Sequence, residues 1–361
     1  MTAIEPSDDA LFPIADAYAG DPLNPDLETV TPIEVVAELS PAERRQRVHA
    51  LTDQAWDIIR LAQETHLRRR QLVARCLLWS GGKDSNTLAH LMRSYATHVI
   101  HANTGIGIEA TRQFVRDTAA AWNLPLIEKS PPPGSTYREQ VLEHGFPGPG
   151  FHWKMYGRLK ERALDAARHD LGIAKSRTKA ALYIAGRRRQ ESKRREDVPA
   201  HEDDGSVIWV SPIVMWTSLD LNTYREMHPD VPHNPVTDLI HMSGECLCGS
   251  YADEGEREQL KFWFPDVHAE LTQLETEVRA AGHEEPRCMW GWGAYYDDVP
   301  SKAGRLCSNC RPPGQRGLFG EAPSPVSHVQ VASRPSMHGS VMATCPEVPL
   351  PAPEPETGER P

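Results

Sequence analysis

The sequence predicts an α/β protein built on a mostly parallel sheet, and three observations predict it. Short apolar runs alternate with helix-period segments of about 10–15 residues from residue 75 to residue 210, the pattern that strand–helix–strand units require. A glycine turn, Ser80-Gly81-Gly82-Lys83-Asp84-Ser85, carries the first apolar run directly into a helical pattern. The composition, 39% hydrophobic and 25% charged over 361 residues, supplies a large core and an ordinary soluble surface.

Each element follows from its local pattern. Residues 1–40 are acidic and carry several prolines, and are expected to be flexible up to a short helix at 32–39. From residue 41 to about 73 an apolar stripe of Leu51, Ala55, Ile58, Ile59 and Leu61 reads as a helix. Then come a strand at 75–79, a helix at 85–95, a strand at 97–102, a helix at 109–122 and a strand at 125–128. After a Pro-Pro-Pro-Gly break at 131–134, one long helix is expected at 154–169, with strands at 181–185 and 207–210. Such parallel sheets are covered on both faces and bind ligands at the C-terminal strand ends, where 80–85 and 103–105 would lie. Residues 254–281 are helical again. The stretch 282–310 is rich in Trp, Gly and Cys, and the 51 residues beyond Cys310 hold 11 prolines and are expected to be disordered. The organisation is therefore a flexible 1–40, an α/β domain at 41–240, a Cys-rich metal-binding subdomain at 241–311 and a Pro-rich tail at 312–361.

A strand leading through glycines into a helix start is a phosphate site. First-turn N–H groups lack intrahelical partners there, and the helix dipole favours an anion. Gly81 and Gly82 admit close approach, while Ser80, Ser85 and Lys83 add donors and charge. The spacing is not that of a Walker A loop. Asn103 and Thr104, at the end of the second strand, are placed to bond ribose or phosphate, and Gly105 lets the chain turn away. A second anion site is indicated by 187–195, six cations in nine residues of a chain whose net charge is -11. That net charge gives no general nucleic-acid signature. No apolar run reaches membrane-spanning length and the N-terminus is not a signal pattern, so a cytoplasmic protein without a membrane partner is expected.

Seven cysteines in that compartment do not read as a disulfide framework. Cys76 falls in a strand and is expected to be buried, and Cys345 is a free thiol in the tail. The other five cluster. Cys246-Leu247-Cys248 and Cys307-Ser308-Asn309-Cys310 together offer four thiolates, with Cys288 as the alternative ligand and His241 as a further candidate. Such a set suits zinc or an iron–sulfur cluster. Trp290, Trp292, Tyr295 and Tyr296 read as core or a pocket wall.

Five segments in order resemble the PAPS reductase family of the PP-loop (adenine-nucleotide α-hydrolase) superfamily. They are Ser80–Ser85; His101-Ala102-Asn103-Thr104-Gly105; Gly186-x-Arg188-x-x-Glu191-Ser192-x-x-Arg195; Pro212-Ile213-x-x-Trp216-x-x-x-Asp220-x-x-x-Tyr224; and Val231-Pro232-x-Asn234-Pro235 followed by Gly244 and cysteines. The resemblance implies a three-layer Rossmann-like domain holding ATP (or PAPS) with Mg2+. It assigns nucleotide binding to Ser80, Gly81, Gly82, Lys83, Asp84, Ser85, Asn103, Thr104, Gly105, Gly186, Arg188, Glu191 and Ser192. Lys83, Asp84, Arg188 and Arg195 are the implied catalytic set, with Glu191 orienting an arginine.

The departures from the family pattern bear on the chemistry. The Glu-Cys-Gly-Ile/Leu-His nucleophile of sulfonucleotide reductases is missing, since Cys345 stands in Ala343-Thr344-Cys345-Pro346. His152 and Lys154 occupy the region where a tandem Cys-Cys would complete an APS reductase cluster. The expected activity is thus cleavage of ATP to AMP and pyrophosphate, adenylylating an acceptor for sulfur or nitrogen transfer. Nucleic acid is a candidate acceptor and a sulfur-donor protein a candidate partner. A [4Fe-4S] cluster is preferred over zinc through the resemblance to DNA-phosphorothioation sulfurtransferases. A PAPS reductase forming sulfite, and a non-catalytic nucleotide-binding scaffold, are the alternatives.

Overall fold

The computed structural model describes residues 30–192 and 195–294. A capping box at Ser40 and Glu43 starts the long helix α2 (Pro41–His66), after the short α1 (Ile33–Glu38). The chain then enters β1 (Gln71–Leu78), and α3 (Lys83–Met92), β2 (His98–Ala102), α4 (Glu109–Ala121) and β3 (Leu126–Lys129) follow. Next come α5 (Tyr137–His144), α6 (His152–Tyr156) and α7 (Arg162–Asp170), then β4 (Lys179–Ala185), β5 (His201–Asp204) and β6 (Val207–Val210). The helices α8 (Ser218–Met227), α9 (Val236–Leu239), α10 (Glu256–Trp263) and α11 (Pro265–Ala280) complete the order.

The six strands run in the order β3-β2-β1-β4-β6-β5, all parallel except β5, which pairs antiparallel with β6. Central position explains composition: in β4 every residue after Lys179 is buried, as a strand covered on both faces must be. On one face Leu77, Leu182 and Ile184 pack with Leu51 and Ile58 of α2, Leu88 of α3 and Leu221 of α8. On the other, Cys76, Tyr183 and Trp209 pack with Leu164 and Ala167 of α7. The expected three-layer α/β arrangement is what forms. No helix among the described residues is long and apolar enough to cross a membrane.

Several elements differ from expectation for identifiable reasons. The first strand begins at Gln71, four residues early, because α2 ends at His66. The expected helix at 154–169 is interrupted by a π-helical turn over Gly157–Glu161. The helical stretch 254–281 breaks at Phe264, because Pro265 can start a helix but cannot continue one. The short α5 and α8 begin at capping boxes, Thr136 with Glu139 and Thr217 with Asp220, that apolar periodicity alone does not mark as starts. β5 is wholly polar and exists through its hairpin with β6.

A separate apolar cluster gathers Ile106, Tyr137 and Val141 of α5, Leu159 of the π turn, Leu247, Leu260 of α10 and Leu274 of α11. Cys248, Cys288, Trp290 and Trp292 are buried in it. Tyr295, Tyr296, Cys307, Cys310 and Cys345 lie outside the described residues.

Candidate active site

β1 ends at Leu78 and the chain turns through Trp79–Gly82 into α3. Gly81 holds φ +76°, and a Cβ there would come within 2.8 Å of Thr111 Cγ2, so glycine is required twice over. Its carbonyl accepts from the side-chain amides of Asn234 at 3.0 Å and Asn86 at 3.3 Å. The Asn86 Oδ1 in turn accepts from Trp79 Nε1 at 2.7 Å, which fixes the turn from below. Gly82 caps α3 without any side-chain hydrogen bond, leaving the first-turn N–H groups without intrahelical partners. Ser80 and Ser85 hydroxyls lie 3.2 Å apart beside them.

Trp79, Ser80, Gly82, Lys83, Asp84 and Ser85 line a cavity of about 530 Å3 at the C-terminal edge of the sheet. Its opposite wall is the chain leaving β4. Gly186 approaches so closely that a Cβ would sit 3.3 Å from both the Asp84 carbonyl carbon and the Ser85 nitrogen. Arg188 is buried and doubly held, donating Nε to Asp84 Oδ2 at 2.8 Å and Nη1 to the Trp216 carbonyl at 3.2 Å. Glu191 pairs with Arg195. Asp84 is therefore engaged with a guanidinium.

Two charged lining residues, Lys160 and Glu245, were not anticipated from the sequence. Lys160, on the π turn, pairs with the buried Glu245 at 2.8 Å. Burial alone would lower the Lys160 ammonium pKa, but the Glu245 carboxylate more than reverses this and holds it protonated. The other Glu245 oxygen, Oε1, is buried without a hydrogen-bond partner. Among the described residues, Lys83 is the one cation lining the cavity that has no carboxylate partner. A π turn has no compositional signature, which is why Lys160 was illegible.

Other expected residues lie elsewhere. Asn103, Thr104, Gly105, Gly81 and Ser192 do not line the cavity. Asn103 donates Nδ2 to Glu128 Oε1 at 2.7 Å and accepts from the Gly105 N–H at 3.0 Å, a local turn closure. Arg116 and Asn103 hold that Glu128 carboxyl down at about 2, so the partner is permanently charged. Thr104 is fully buried, with Oγ1 2.8 Å from the Glu245 carbonyl oxygen.

Cys246 and Cys248 are brought together, and their mutual hydrogen bond lowers Cys248 while raising Cys246, as two thiols sharing one proton must. Cys248 Sγ also lies 3.3 Å from Ser250 Oγ. Among the described residues no three His, Cys, Asp or Glu side chains are placed to hold a metal ion. Cys288 and His241 thus do not join Cys246 and Cys248 in a ligand group. Of the four thiols expected as ligands, Cys246 and Cys248 are among the described residues.

Residues 74–241 match the family model described as the phosphoadenosine phosphosulfate reductase domain. The central domain belongs to that family. The span takes in the glycine turn, the β4 exit with Arg188, and Asn234, so the family domain includes most of the cavity wall. A phosphoadenosine 5'-phosphosulfate reductase of Photobacterium profundum is 26% identical over 264 residues, 70% of this chain and 88% of the relative. Two solved structures are also similar. The phosphoadenylyl-sulfate (PAPS) reductase of Candida auris, a phosphate complex, is 20% identical over 57% of this chain and 87% of that one, with TM-score 0.34. The U34-tRNA thiolase of Methanococcus maripaludis with its [4Fe-4S] cluster is 12% identical over 64% and 81%, with TM-score 0.33.

Proposed function

We propose that the cavity binds an adenine nucleotide, with its phosphates against residues 80–85, and that the chain cleaves ATP to AMP and pyrophosphate to adenylylate an acceptor. The observation that carries this reading is the unpaired Lys83 at a helix N-terminus with no side-chain cap, facing a cavity of about 530 Å3. An acidic ligand completes both the lone cation and the first-turn N–H groups. Arg188, held rigid by Asp84 and the Trp216 carbonyl, faces the same space and is preorganised for charge that grows in the transition state.

In this reading an acceptor oxygen bonds to the α-phosphorus as the bond to the bridging oxygen breaks, and pyrophosphate leaves. Lys83 and the α3 N-terminus neutralise the leaving phosphates. Mg2+, when bound, shields the triphosphate charge. The carbon that bears the adenylylated oxygen is then open to sulfur or nitrogen attack, its bond to that oxygen breaking as AMP leaves. Zinc or an iron–sulfur cluster would be held by Cys246 and Cys248 with Cys307 and Cys310, two ligands of which lie outside the described residues.

The test is direct. Calorimetric titration with ATP should give binding that falls about 10–100-fold in Lys83→Ala, the value of one charge-assisted hydrogen bond. Pyrophosphate release should depend on an added acceptor. Failure of the parent to bind ATP would end this reading. A second reading, reduction of PAPS to sulfite, is favoured by the names of the family and its curated relatives. It requires sulfite from PAPS with an added dithiol such as thioredoxin as the two-electron reductant, and its loss in Cys345→Ser.

A further inference from the structure

A second cavity, of about 210 Å3, shares no lining residue with the first. Phe146, Phe151 and Met155 give it an apolar floor, and Lys154, Arg158 and Arg287 stand around it. Among the described residues no carboxylate pairs with any of these three cations. The single acidic residue of the lining, Glu143, faces the His144 imidazole at 3.6 Å. The cations are ordered by other means. Arg287 lies over the Phe151 ring with Cζ 4.8 Å from the centroid, Lys154 Nζ is 5.3 Å from the same ring, and Arg158 donates to Gln140 Oε1. In a chain of net charge -11 this is a local positive excess set on an aromatic floor.

We propose that this cavity docks one nucleotide unit of a single-stranded nucleic acid, the acceptor presented to the neighbouring active site. The chemistry discriminates among ligands. A lone phosphate would meet the cations but leave the apolar floor unfilled, and a duplex hides its base faces. A base against the Phe151 and Met155 surface, with flanking phosphates on Lys154, Arg158 and Arg287, satisfies both. The volume is below the roughly 300–1,000 Å3 of sites that enclose a whole small ligand, which suits one unit of a polymer. The π turn connects the two sites, since Arg158 lines this cavity and Lys160 the first. The acceptor role rests on the ATP-cleaving reading, whereas docking itself does not.

The experiment is fluorescence anisotropy of labelled 12-nucleotide single strands, DNA and RNA, with the full chain and no ATP, from 50 to 200 mM KCl. Three phosphate contacts predict a slope of log K against log salt of about -2. The triple variant Lys154→Gln, Arg158→Gln, Arg287→Gln should bind at least about tenfold more weakly at 50 mM and lose most of that slope. Phe151→Leu, which keeps every charge, should weaken binding about fivefold or more with the slope unchanged. A control removing three exposed cations elsewhere, Arg45→Gln, Arg177→Gln and Lys261→Gln, should retain parental affinity within about twofold. Absence of binding by the parent, equal losses in the control, or full displacement of the strand by inorganic phosphate or a phosphoserine peptide of matched charge overturns the proposal. ATP titration of the same preparation reads the other site separately.

Discussion

Gly81 and Arg188 show how little latitude the glycine turn and the facing cavity wall have. A side chain at Gly81 must accept a left-handed φ and also push Thr111 away from 2.8 Å. Gly81→Ala is expected to cost about 1–3 kcal/mol of stability, read as a denaturant midpoint shift with unchanged slope. Arg188 fails differently. Its guanidinium spans the Asp84 carboxylate and the Trp216 carbonyl at once, which the single ammonium of lysine cannot do. Arg188→Lys should therefore keep the fold, with an unchanged melting temperature, while lowering ATP affinity about tenfold in calorimetry. The sequence named both residues, because a glycine turn at a strand–helix junction and a basic run after a strand are local signals. Asn103 and Thr104, named with them, have partners that the sequence did not report. Their side chains are claimed by Glu128 and by the Glu245 carbonyl, 25 and 141 residues away, and no local pattern reports such partners.

At the level of elements, α2 and β5 are joined by a pair of imidazoles, His66 Nε2 and His201 Nδ1, 2.8 Å apart. One ring must donate and the other accept, so the bond requires at least one neutral ring. Burial, with the neighbouring His66 adding to it, pushes His201 down to about 4, and burial lowers His66 as well. In the unfolded chain both rings take up protons near 6.5. Between pH 6.5 and about 4 the unfolded state thus binds more protons, and stability falls as pH falls. The contribution is fully present above 6.5. Replacing both residues, His66→Gln with His201→Gln, should flatten this limb, so that the fall in melting temperature from pH 7 to pH 4.5 is smaller than in the parent. Because the pair is half-buried and partly screened, the expected difference is only on the order of 2–4 °C. β5 itself was missed in the sequence, which shows no apolar run there. Its residues are polar because an edge strand needs no apolar face, but the two-residue loop Gly205-Ser206 between it and β6 is a hairpin signal, and Gly205 adopts φ +65°.

Across the whole molecule the cavity is assembled from segments far apart in sequence, the ends of β1, β2 and β4, the π turn, α8 and the chain from Thr237 to Glu245. The last of these is fastened to the glycine turn by a continuous set of contacts. Asn234 Nδ2 donates to Gly81 O and to Thr111 Oγ1, both at 3.0 Å, and Thr111 Oγ1 donates to Ser243 O at 2.6 Å. Beyond it, Ile108 N donates to Gly244 O at 2.7 Å, Leu247 N to Ile106 O at 2.9 Å, and Lys160 pairs with Glu245. A ligand that seats on Lys83 therefore stabilises a wall more than 150 positions away in the chain, since anything that binds the closed form suppresses its local openings. Hydrogen exchange with and without saturating ATP should show slowed exchange in peptides covering 80–92 and 236–248 together, while peptides of α11 are unchanged. In Lys83→Ala, at the same ATP concentration, both protections should shrink in proportion. Protection confined to 80–92 would mean that the Asn234–Glu245 wall merely abuts the glycine turn, and the coupling between Lys83 and that wall would have to be abandoned.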